Sequence, residues 1–101
     1  MTVDELLTSA TTDSQPPEGL SPEAEALWHT KAGDWEAAHN IAQDIHTPMG
    51  SWIHAHLHVI EGDIGNGRYW YRSANKPARG IDDLDGEWLE IAAEVLVGNR
   101  G

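Results

Sequence analysis

Residues 52–58 read WIHAHLH, three histidines at alternate positions among apolar residues. Imidazoles bind transition metals and exchange protons near neutral pH, so their relative geometry decides what chemistry they can do. On a strand, His54, His56 and His58 would share one face. On a helix they separate. At about 100° per residue, Met49, Ile53, Leu57 and Ile60 centre an apolar arc that Trp52 and Val59 widen. His56 falls inside that arc, while His54, His58 and Glu61 lie opposite it at i, i+4 and i+7. Two imidazoles one turn apart can both reach a Zn²⁺ at ~2.0–2.1 Å, with the Glu61 carboxylate as third ligand. The pattern lacks the H-E-x-x-H glutamate and any evident fourth ligand. The competing reading, a solvated helix face whose acid steadies nearby imidazolium, is therefore the one the motif favours. His56 is expected to be buried or half-buried and bonded to a neighbouring carbonyl or carboxylate, as buried polar groups normally are.

A second chemical feature lies in GRYWYR, residues 67–72. Gly67, Trp70, Tyr71 and Ala74 form an inward stripe, and Arg68, Arg72 and Lys76 recur one turn apart outside it. With Arg79 they make four of the six basic residues of the chain. Arg68 and Arg72 with Tyr69 suit a carboxylate or phosphate, because planar guanidinium groups make bidentate contacts. Pairing of these cations with Asp82, Asp83, Asp85 or Glu87 is the plainer alternative, and the excess of nearby acid favours it.

Several chemistries are excluded or unsupported. The absence of cysteine removes disulfides, thiolate metal sites and cysteine nucleophiles. Ser51 and Ser73 sit in ordinary helical contexts without a G-x-S-x-G turn. GDIGNG, residues 62–67, imitates part of a phosphate-binding glycine loop but follows no strand. No catalytic constellation is recognised, and no cofactor is expected. Seventeen acidic against six basic side chains give a formal charge of −11, which argues against binding a phosphate backbone or an anionic membrane. MTVDELLTSA has neither a basic n-region nor a long apolar h-region, and no apolar run approaches the roughly 20 residues that span a bilayer. A cytoplasmic protein is expected.

The elements that must position these residues are punctuated clearly. The stretch 1–20, with its paired prolines in QPPEG, reads as a mobile lead-in whose first ten residues can make a short helical turn around Leu6 and Leu7. Ser21-Pro22 then starts a helix that Gly33 stops, and Asp34 caps a second with Ala38, Ile41, Ala42 and Ile45 inward. Thr47-Pro48 starts the third, which ends at Gly62, and Asp63 caps the fourth. After the loop NKPARGI, Asp82 or Asp83 opens a fifth with Leu84, Trp88, Ile91, Ala92 and Val95 on one stripe. Each of the five carries one tryptophan, and there is no phenylalanine. That distribution implies one shared helical core.

The first two hairpins echo each other at an offset of 29 residues: Ala26, His29, Gly33, Asp34 and Pro48 map onto Ala55, His58, Gly62, Asp63 and Pro77. The order helix, Gly-Asp turn, helix, proline resembles the tetratricopeptide pattern, with Ala26 and Ala38, then Ala55 and Gly67, at its small positions and Trp35 at its aromatic one. The repeat is shorter than the usual ~34 residues. AHNIAQDI, WIHAHLHVIEGD and NGRYWYRSANKP also resemble a group of small bacterial proteins with a W-I-H-A-x-L-H…E-G-D…N-x-R-Y-W-Y-R-x-A order. That resemblance implies a shared fold and no particular activity.

The expected architecture is all-α, about five helices, with two tetratricopeptide-like hairpins stacked and the last helix capping them. Residues 21–97 form the domain and 98–101 a flexible tail. The expected function is a protein-interaction or self-association module, with Trp52, His56 and Val59 lining a concave contact face for a protein partner or a second copy. The alternative is a small metal- or anion-binding protein using His54, His58 and Glu61, or Arg68 and Arg72.

Overall fold

Short polar side chains set where the helices begin. The structure, a computed structural model, describes residues 1–98. The Ala24 N–H donates to Ser21 Oγ and opens α2 (Pro22–Ala32), and the Ala37 N–H donates to the Asp34 carboxylate and opens α3 (Trp35–Gln43). Thr47 caps α4 (Pro48–Ile60) through Gly50 N–H, and Asp63 caps α5 (Ile64–Ala74) through Asn66 N–H. A 3₁₀ turn (Ile81–Asp83) leads into α6 (Leu84–Gly98). The described residues contain no strand, so the all-α expectation holds.

The 29-residue echo is physical as well as textual. Gly33 and Gly62 both adopt the left-handed conformation, with φ of 89° and 83°. In each turn the aspartate N–H then donates back to the histidine carbonyl five residues earlier, Asp34 to His29 and Asp63 to His58, both at 2.9 Å. Such a turn closes the last carbonyls of one helix while its aspartate caps the next. Where the second hairpin is tightest, a Cβ on Gly67 would lie 3.2 Å from Val59 Cγ2.

Helix α4 is the hub. It packs against α2, α3, α5 and α6, and every residue from Gly50 to Leu57 is buried, together with Val59. Its close entry depends on Gly50, where a Cβ would run into the Ile45 carbonyl oxygen and side chain. Four indole N–H groups link the helices. Trp28 donates to Ser9 Oγ, Trp35 to the Leu57 carbonyl, Trp52 to Glu87 and Trp88 to the Leu27 carbonyl. Each bond joins two different helices, which is how large aromatics become both core and register markers.

Two expectations are corrected. The lead-in 1–20 contains a sixth helix, α1 (Val3–Thr12), which packs on α2 and α6. Thr2 and Glu5 form a reciprocal capping box, Leu6 and Ala10 enter the core, and Ser9 receives the Trp28 indole. A single apolar face of one short helix is a weak sequence signal, and it is the Trp28 contact that makes it count. The second correction concerns Trp52, His56 and Val59, which face the interior rather than an open groove. Helix α6 covers the first two through Glu87, and α5 closes over Val59 at Gly67. Of the expected tail, residues 99–101 lie outside the described residues, and Gly98 is the last residue of α6. No helix among the described residues is long and apolar enough to cross a membrane.

Candidate metal centre

The face of α4 expected to meet water is covered instead. His54 is 6% exposed because α3 and α5 close over it. Asp34 sets the start of α3, and this brings Trp35 and His39, one turn apart, against α4. His39 Nε2 lies 2.9 Å from His54 Nε2. His58, one turn along α4, stacks on His54 with ring centroids 4.8 Å apart and meets the His39 ring edge-on at 5.5 Å. One nitrogen from each of the three rings lies within 4.8 Å of the other two.

Aromatic walls hold the three rings in place. Trp35 stacks on His39 at 4.7 Å, and its N–H donates to the Leu57 carbonyl at 2.7 Å, so the indole is fixed at both ends. Trp70 of α5 stacks on His54 at 4.0 Å. Glu61 Oε1 lies 2.8 Å from His58 Nδ1, which leaves Nε2 as the other ligating atom of that ring. Burial, followed by the proximity of His39 and His58, pulls His54 down from 6.5 to about 4. Burial also lowers His39, helped by His58 and opposed by Glu61. Burial thus disfavours the charged form of both rings, and at 2.9 Å one Nε2 carries a proton and donates to the other, so a bound metal would take the place of that proton. Four tetrahedral ligands at ~2.0–2.1 Å place neighbouring nitrogens about 3.3 Å apart, against 2.9 Å between His39 and His54 and up to 4.8 Å across the set.

Of the residues expected to ligate, His54 and His58 come together, whereas Glu61 sits behind His58 as its hydrogen-bond partner. The third imidazole, His39, was not legible as part of the set. Its signal is its place one turn after Trp35, on the helix that the Asp34 cap aims at α4.

His54 and Trp70 also line a cavity of about 450 Å³ that includes the α3–α4 loop. Gln43, His46, Thr47, Ser51 and Ser73 also line it, and the Ser51 and Ser73 hydroxyls are 3.1 Å apart.

His56 occupies a separate buried centre. Its Nδ1 is 2.7 Å from Glu87 Oε1, the Trp52 indole donates to Oε2 at 3.1 Å, and the Tyr71 hydroxyl reaches both oxygens at 2.8 and 2.7 Å. Glu87 is 1% exposed. Burial alone would raise its pKa, but the bonds from His56, Tyr71 and Trp52 outweigh it and hold the carboxylate below its usual range. Burial and the bond to Glu87 push the Tyr71 phenol up. This centre has the partnered histidine expected from sequence, and its acceptor is a buried glutamate on α6.

The basic edge divides. Arg79 pairs with Asp83 and Glu90, and Lys76 lies 3.7 Å from Glu94 while covering the Trp52 ring. Arg68 and Arg72 make no ion pair among the described residues and line a surface cavity of about 470 Å³ with Lys76. Tyr69 is not part of that cavity; it is 56% exposed and packs edge-on against Trp70.

The chain matches no protein-family model, no curated protein and no solved structure.

Proposed function

We propose that this protein binds a transition-metal ion through His39, His54 and His58. The supporting observation is the convergence of three imidazole nitrogens within 4.8 Å in a pocket walled by Trp35 and Trp70. An all-imidazole set suits Zn²⁺, Cu²⁺, Ni²⁺ or Fe²⁺ and not the hard, oxygen-seeking Mg²⁺ or Ca²⁺. Glu61 on His58 Nδ1 is the arrangement by which a carboxylate orients a metal-bound histidine and raises its basicity. The interaction-module reading took Trp52, His56 and Val59 as its contact candidates, and all three are buried.

Calorimetric titration of tag-free protein with Zn²⁺ tests the proposal. One equivalent is expected to bind, His39→Ala is expected to abolish stoichiometric binding, and Glu61→Gln is expected to weaken it about 10–100-fold. Binding that is absent, or unchanged in both His39→Ala and His58→Ala, would overturn it.

A further inference from the structure

We infer that the three-histidine centre accepts an exchangeable fourth ligand, a small carboxylate-bearing molecule seated in the cavity next to His54. The inference rests on the metal-binding reading and extends it to what the ion would hold.

Helical register places the cavity one turn from the metal ligands. On α3, His39 is followed by Gln43 at i+4 and, beyond the helix end, His46. On α4, His54 is preceded by Ser51 and Gly50, and on α5 Trp70 is followed by Ser73. His54 belongs to both the ligand set and the cavity wall, and it is the one ligand of the set that lines the cavity. Three protein ligands leave a tetrahedral ion one open position, the arrangement of sites that take water or substrate.

Charge selects the class of ligand. A divalent ion on three neutral imidazoles keeps its full charge in a half-buried pocket, and Glu61 balances only part of it from behind His58. The chain has seventeen acidic side chains, yet among the described residues none lines this cavity. Its polar lining consists of hydroxyl, amide and imidazole groups, all able to donate to an anionic oxygen. One carboxylate oxygen on the metal and the other toward the Ser51–Ser73 pair satisfies both needs.

The full-length chain loaded with Co²⁺ tests this by visible absorption, with glycolate as the probe. Ligand-field bands on adding Co²⁺ report the metal centre itself. If glycolate then shifts those bands saturably, with one molecule per ion, the inference stands. The paired substitution Ser51→Ala with Ser73→Ala is expected to keep the Co²⁺ bands and weaken glycolate about tenfold, the effect of losing hydrogen bonds to a charged group. Ser73→Phe, at an exposed helical position, is expected to block the cavity with the metal still bound. Co²⁺ bands that glycolate leaves unchanged would overturn the fourth-ligand inference while leaving the metal reading intact. Glycolate binding that is indifferent to Ser73→Phe would overturn the cavity assignment. Absence of Co²⁺ bands would overturn both.

Discussion

His54 and Glu87 are two titratable groups that folding buries, one with neighbours of its own kind and one among donors. The pKa of His54 is lowered in the folded state, so between about 6.5 and about 4 the unfolded chain binds the extra proton. Stability of the metal-free protein is therefore full above that window and falls as pH drops through it. The depression corresponds to on the order of 3 kcal/mol at its limit. Urea unfolding in the presence of chelator should show a smaller loss between pH about 7 and about 4.5 for His54→Asn than for the parent chain. Glu87 has the opposite environment, one that favours its charge. Removing it in Glu87→Ala strands the donors of His56, Trp52 and Tyr71 in the core, a loss of about 3–5 kcal/mol. Tyr71→Phe, which removes one donor only, should cost about 1–3 kcal/mol in the same denaturation experiment. These two effects should be strongly non-additive, because both residues belong to one network.

At the scale of elements, the two hairpins turn on the same device. Gly33 and Gly62 have the same left-handed backbone, and a Cβ at either would meet no atom within 4 Å. Gly33→Ala and Gly62→Ala should therefore cost nearly equal amounts, about 1 kcal/mol each, from backbone strain alone. Gly50 differs in kind. Its backbone is helical, but a methyl there would meet Ile45 in the α3–α4 loop, so Gly50→Ala should be much the more damaging of the three. Thermal denaturation of the three alanine variants separates strain from collision. These turns were legible beforehand because Ser, Thr and Asp caps, N1 prolines and glycine stops act within a few residues. The α1 helix was less legible because its single buried face gains meaning only from α2 and α6.

Over the whole molecule, α1 completes the core that the echoing hairpins leave open. Leu6 is fully buried, and Ser9 accepts the Trp28 indole. Leu6→Ala should destabilise the entire fold by about 2–5 kcal/mol, in a single cooperative transition followed by tryptophan fluorescence. Independent loss of α1, with the remainder unfolding later, would show that α1 is an accessory to the core. The sequence by itself determined the helical class, nearly every helix boundary, the repeated Gly-Asp turn and the inward stripes of α5 and α6. Each of these depends on periodicity or capping over a few neighbouring residues. Only the tertiary structure decided which imidazoles meet. His39 and His54 are 15 residues apart, and His56 and Glu87 are 31 apart. Periodicity says which residues share a face of one helix, but the crossing of α3 and α6 over α4 decides what each face touches. That is why WIHAHLH divides between two sites, with His54 and His58 joining His39 on one side of α4 and His56 joining Glu87 on the other.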